Sequence, residues 1–217
     1  MLSVQNLSKS FKIPHLKKQS VKGSLFTFFD RKTFEKIEVI KDFSLEVRTG
    51  EFVGLMGPNG CGKSTLLKIL AGVYQADAGE IKMEGKVSAI LELGLGFNPE
   101  LPARENVVLN GLLLGLPKTK IRGMLKNIFE FAELEKFIDV PLKHFSSGMA
   151  ARLAFAVAMQ VEADIYLLDE VLAVGDEEFQ KKCIKVFQEL KKAGKTVLFV
   201  SHSQALVDQF CDRVVRM

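Results

Sequence analysis

Residues 51–71 read Glu51-Phe-Val-Gly-Leu-Met-Gly-Pro-Asn-Gly-Cys-Gly-Lys-Ser-Thr-Leu-Leu-Lys-Ile-Leu-Ala71. The middle of this stretch, Gly57-Pro58-Asn59-Gly60-Cys61-Gly62-Lys63-Ser64, fits the pattern G-x-x-x-x-G-K-[ST]. An apolar, strand-like run precedes it and a helix-like run follows, which is the context a phosphate-binding loop requires. Glycines let the backbone close around an anion with successive N–H groups pointing inward. The N-terminus of the following helix adds positive partial charge. Lys63 can reach β- and γ-phosphates, Ser64 can ligate Mg²⁺, and Thr65 follows at the start of the helix.

Outward from this loop, the pattern alternates strands and helices. Leu2–Leu7, Val39–Val47, Phe52–Met56, Glu80–Met83, Val87–Leu91, Ile165–Leu168, Thr196–Val200 and Val214–Val215 read as strands. Lys63–Ala71, Ser147–Gln160 and Glu177–Lys192 read as helices. A glycine-rich bend, Gly94–Pro99, opens a mostly helical stretch to about Val140. Alternation of this kind predicts an α/β fold with a mostly parallel sheet. The expected layout is one domain over 1–217, with a core at about 1–97 and 146–217, a helical subdomain at about 98–145 and a basic insertion at 14–37.

Composition narrows the function classes. The chain has 217 residues, 47% of them hydrophobic, and a net charge of +4. Residues 12–36 hold seven basic side chains against two acidic, so the rest is near neutral and no nucleic-acid-coating surface is expected. Cys61, Cys183 and Cys211 have no paired spacing, which argues against disulfides or a zinc site and for a reducing compartment. Neither a signal peptide nor an apolar stretch long enough to span a bilayer is visible.

Two further stretches carry chemistry. Ile165-Tyr-Leu-Leu-Asp169-Glu170 is an apolar strand ending in two carboxylates. Asp169 is placed to bind Mg²⁺, and Glu170 to polarise an attacking water, a role that contributes about 10²–10⁴-fold. Phe145-Ser146-Ser147-Gly148-Met149 opens a helix and offers a second anion site or a plain N-cap.

With these motifs in this order, the chain resembles the nucleotide-binding subunit of an ABC transporter, a P-loop ATPase with an N-terminal antiparallel β portion beside its parallel core. The resemblance covers the whole chain. It makes 57–64 the phosphate loop, with Lys63, Ser64 and Thr65 holding the phosphates and Mg²⁺, 145–149 the signature, Asp169 and Glu170 the Mg²⁺ ligand and general base, Ala173-Val-Gly-Asp176 the D-loop with Asp176 crossing a dimer interface, and His202, in Val-Ser-His, the γ-phosphate contact. It also places Phe11 as an aromatic stacking on adenine, against the alternative of a core phenylalanine. ATP and Mg²⁺ are the implied cofactors, and the implied dimer is a head-to-tail homodimer in which each signature completes the other subunit's ATP site.

Departures from the family pattern point to a subfamily. The signature reads Phe-Ser-Ser-Gly-Met rather than Leu-Ser-Gly-Gly-Gln, and Asn98 falls at or near the position of the Q-loop glutamine. With the basic insertion at 14–37, these resemble ATPases that export O-antigen, teichoic acid and capsule-type polysaccharides. That implies a separate polytopic permease, docked on the helical stretch 99–145, a lipid-linked glycan substrate, no nucleic acid, and a peripheral location on the cytoplasmic face of the inner membrane. In the insertion, lysines beside Leu25, Phe26, Phe28 and Phe29 could rest on an anionic leaflet, or the phenylalanines could pack on their own domain. Cys61 could be a redox-sensitive thiol or a small space-filling residue. An ABC ATPase for another cargo, or a mechanical ATPase acting on ribosomes or DNA, are the alternatives.

Overall fold

The computed structural model describes residues 1–14, 34–171, 174–201 and 203–217. In chain order its elements are β1 (Leu2–Pro14), β2 (Phe34–Val47), β3 (Phe52–Met56), α1 (Lys63–Leu70), β4 (Ala78–Met83), β5 (Val87–Ile90), α2 (Ala103–Leu113), α3 (Lys118–Ala132), α4 (Ser147–Ala158), β6 (Ile165–Asp169), α5 (Glu177–Lys192), β7 (Thr196–Val200), α6 (Gln204–Phe210) and β8 (Arg213–Arg216). Two single 3₁₀ turns, Glu135–Phe137 and Leu142–His144, lead from α3 into α4.

The strands form two sheets. An antiparallel sheet has the order β2-β1-β4, and a parallel sheet has the order β5-β6-β7-β3-β8. The inner parallel strands β6, β7 and β3 are nearly continuous apolar runs because both of their faces are covered. Alternate residues go to opposite sides. Val53, Leu55, Ile165, Leu167, Leu198 and Val200 pack toward α1 and the antiparallel sheet. Phe52, Tyr166, Leu168, Val197 and Phe199 pack toward α5 and α6, where Phe179, Phe187 and Phe210 meet them.

A third cluster joins α2 and α3 to α4. Helix α4 serves both sides: Phe155 and Ala158 enter the sheet's core, whereas Leu153, Ala156 and Val157 enter the helical cluster. Its apolar character along nearly its whole length follows from that double burial.

The elements extend or add to the expected ones in three places. Strand β1 runs to Pro14 and β2 begins at Phe34, so Pro14 and residues 34–37 of the basic stretch are strand, while residues 15–33 lie outside the described residues. The pairing continues out to Pro14↔Phe34 with register shifts along the way, which blur the two-residue alternation that identifies a strand. Helix α6 has seven residues, too few for a helical period to stand out, and is fixed by its Ser203 cap, whose oxygen accepts from Leu206 N–H at 3.4 Å.

Candidate functional site

Strand β3 delivers the chain into the loop 57–62, and Gly62 turns it into α1. Gly62 has φ 104°, and a Cβ there would sit 2.9 Å from the Val39 carbonyl oxygen on β2. No side chain caps α1, so its first N–H groups face the loop as anion donors. Lys63 is 6% exposed. Its Nζ donates to the carbonyls of Gly57 at 2.8 Å and Pro58 at 2.9 Å, and lies 3.8 Å from Cys61 Sγ. An ammonium has three protons. Thiol sulfur is a weak acceptor, so the proton aimed at Cys61 is the one a phosphate oxygen would take.

Across the cavity, β6 ends at Asp169. The Ser64 hydroxyl hydrogen-bonds to this carboxylate. Burial pushes the Asp169 carboxyl up, as does the charge of Glu170, while Ser64, Lys63 and Lys68 oppose the rise. The next residue, Glu170, has a left-handed backbone with φ 53°, and its N–H donates to Val200 O at 3.0 Å. Such a conformation in a glutamate is strained and is characteristic of functional positions. A cavity of about 260 Å³ lies between the loop and these two acids, lined by Asn59, Lys63, Ser64, Thr65, Asp169 and Glu170 among others.

The donor set suits Mg²⁺. A hydroxyl and a carboxylate in direct contact supply two hard oxygens at the cavity, and no group of three or more His, Cys, Asp or Glu forms a metal cage among the described residues. Mg²⁺ is bound in this sparse way, by one or two protein oxygens with phosphate and water completing the octahedron.

The signature lies elsewhere. Ser146 caps α4, its Oγ accepting from Met149 N–H at 3.2 Å. Ser146, Ser147, Gly148 and Met149 line a shallow pocket of about 560 Å³ together with Gly175 and Asp176. None of these residues lines the phosphate-loop cavity. Within one subunit the signature and the phosphate loop are thus separate surfaces.

The remaining candidates are also placed apart. Phe11, on β1, is half-buried; it meets Tyr74 edge-on at 5.5 Å between ring centroids, and Lys9 Nζ stands 5.5 Å over its ring. Asn98 is occupied with its own turn: its Oδ1 accepts from Glu100 N–H at 3.0 Å, and its N–H donates to Asn106 Oδ1 at 2.6 Å. It does not line the phosphate-loop cavity. His202 and Ala173 lie outside the described residues.

A family model described as "ABC transporter" matches residues 40–173. The chain belongs to the ABC transporter family. It is 44% identical over 220 residues to the O-antigen export system ATP-binding protein RfbB of Klebsiella pneumoniae, covering 99% of this chain and 89% of that protein. It is 39% identical over 211 residues to the teichoic acids export ATP-binding protein TagH of Bacillus cereus, covering 97% of this chain but 38% of that longer protein. Among solved structures, the ATP-binding cassette MJ0796 in a dimeric post-hydrolysis state bound to ADP and Pi superposes with a TM-score of 0.77 at 25% identity, over 100% of this chain and 94% of that one. This ABC protein binds and hydrolyses ATP.

Three features of the ABC ATPase were missed in the sequence. Glu92 stands two residues beyond β5, whose last pair with β6 is Ile90↔Leu168. Lys68 Nζ holds it at 3.0 Å. The signal was present, since Val87–Glu92 is an apolar strand running into a carboxylate just as Ile165–Asp169 is. A groove of about 410 Å³ follows from β5 between α1 and the helices α2 and α4, with Leu93, Leu95, Leu113 and Leu114 on its walls. Leu95 and Leu113 are 65% and 67% exposed, and only the folded chain brings them together. Tyr74, the third, sits in the loop after α1 and meets Phe11 edge-on, a contact between a strand and a loop that lie far apart in the chain.

Proposed function

We propose that this chain is the ATP-hydrolysing subunit of an exporter that moves a lipid-linked polysaccharide or teichoic acid across the cytoplasmic membrane. It works as a homodimer on the cytoplasmic face, bound to a separate polytopic permease. The observation carrying the cargo is the pair of relatives, named for O-antigen export and for teichoic acid export, that align over nearly the whole chain. No helix among the described residues is long and apolar enough to cross a membrane, which fits a peripheral subunit.

Each step follows from a named side chain. The loop amides of 57–62 and the α1 N-terminus bind the β- and γ-phosphates, and Lys63 turns its third proton onto them. Phe11 offers its face to the adenine. Ser64 and Asp169 would hold Mg²⁺, which when bound neutralises phosphate charge. Glu170 orients a water for in-line attack and accepts its proton, and His202 contacts the γ-phosphate. Phosphoryl transfer needs this positioning and charge stabilisation and little else. Because the signature lines a pocket separate from its own phosphate-loop cavity, Ser146, Ser147 and Gly148 engage the γ-phosphate held by the other subunit. The apolar groove between α1 and α2 receives the permease, next to Glu92.

The test is ATP turnover of the chain reconstituted with its permease in liposomes, with lipid-linked glycans added. Stimulation by permease and glycan together is the expected result. Stimulation by the permease and by no glycan would remove the cargo and keep the transporter.

A further inference from the structure

The signature helix and the D-loop are fastened to one another by a side chain that the reaction scheme leaves out. Arg152, one turn into α4 from Ser147–Gly148, is 16% exposed. Its Nη1 lies 3.4 Å from Glu133 Oε2 and 3.7 Å from Asp176 Oδ2. Its guanidinium stands 5.8 Å over the Phe179 ring. Asp176 closes the arrangement, since its other oxygen accepts from Phe179 N–H at 3.0 Å and so caps α5.

Two backbone features show that this contact shaped the local chain. Gly175 has φ 71°, and a Cβ there would lie 3.1 Å from Arg152 Cγ, so the D-loop backbone rests on the arginine stem. Glu133 ends α3 with φ 59°, a left-handed position where glycine is preferred and another L-residue costs about 1–2 kcal/mol. A glutamate is kept there, and its carboxylate bridges Arg152 and Lys182. Two cations and two carboxylates make a neutral quartet, which is what burying a guanidinium requires.

We propose that Arg152 is a positioning residue that couples the two ATP sites of the dimer. The inference rests on the composite-site reading above. The D-loop, 173–176, follows three residues after Glu170 in the chain and is held at Asp176 by Arg152. Arg152 itself is carried by the helix whose N-terminus faces the opposite nucleotide. A shift of the signature on binding that nucleotide therefore reaches Asp176 through Arg152, six residues along the chain from Glu170 of the same subunit. Both carboxylates are reached from the same Nη1, so one cationic donor at this position joins them.

The test uses the full chain and the variants Arg152→Met, Arg152→Lys, Asp176→Asn and Arg152→Met with Asp176→Asn. Arg152→Met is expected to lower kcat at least tenfold, leave KM for ATP within twofold, and bring the Hill coefficient for ATP toward 1. Arg152→Lys recovers kcat to within threefold of the parent, and Asp176→Asn adds no further loss in the Arg152→Met background. If Arg152→Met fails to fold, Glu133→Gln with Arg152→Met keeps the quartet neutral and serves in its place. A folded variant with unchanged kcat and Hill coefficient overturns the proposal, as do independent, multiplying losses from Arg152 and Asp176. Glu170→Gln with ATP reports the dimer separately by light scattering. A monomer there overturns the composite site and this inference with it, whereas a dimer alongside an unaffected Arg152→Met overturns this inference alone.

Discussion

Glu170 is the residue at which chemistry and backbone strain coincide, and the two can be separated by choice of substituent. Glu170→Gln keeps the side-chain length, the φ of 53° and the hydrogen bond to Val200. It removes only the carboxylate. Loss of a positioned base predicts a fall in kcat of about 10²–10⁴-fold, or roughly 3–5 kcal/mol in activation free energy. Stability should be unchanged within about 0.5 kcal/mol, as for substitutions that alter no packing. Glu170→Asn should lose the same activity, but asparagine tolerates the left-handed region. It should therefore raise the unfolding free energy by about 0.5–1 kcal/mol, a fraction of the 1–2 kcal/mol penalty that other residues carry there. The assays are single-turnover ATP hydrolysis, nucleotide binding by calorimetry, and urea denaturation. Turnover of Glu170→Gln within threefold of the parent would refute the base assignment. A Glu170→Asn variant less stable than Glu170→Gln would refute the strain argument, whatever its activity.

Three other outcomes follow from the same geometry. Lys63→Ala removes the donor to two loop carbonyls and should weaken ATP binding at least a hundredfold by calorimetry while the chain stays folded. Burial pushes the Cys183 thiol up to about 12 and the Cys211 thiol up to about 11, whereas Cys61 is half-exposed in the phosphate loop; at neutral pH, maleimide should label Cys61 first by peptide mass mapping, and ATP should slow that labelling. Burial raises the Asp212 carboxyl, but the Lys191 ammonium at 2.8 Å and the Phe52 N–H at 2.9 Å outweigh it and hold the carboxyl below its usual range. A depressed carboxylate adds stability that is complete above its unfolded value of about 3.9 and is lost as pH falls through the folded value, so Asp212→Asn should narrow the difference in urea midpoint between pH 5 and pH 3.

The phosphate loop, the Asp169–Glu170 pair and the Ser146 cap were legible because each is local. A strand, a glycine turn and a helix start are set by neighbouring residues, and an apolar run ending in acids is visible within six positions. Asn98 sits in a glycine-rich bend whose course no periodic pattern gives, and the fold sets its side-chain oxygen on Glu100 N–H, away from the residues that line the phosphate-loop cavity.

The sequence by itself determined the elements, the nucleotide chemistry and the family, since periodicity and motif spacing act over a few residues. Tertiary structure alone decided which distant pieces meet. Strand order β5-β6-β7-β3-β8 brings Ser64 to Asp169, and packing of α4 against α3 and α5 assembles Arg152, Glu133, Asp176 and Lys182. Those contacts depend on how apolar faces stack, and a charge that finds its partner only after the core has closed leaves no periodic trace in the chain.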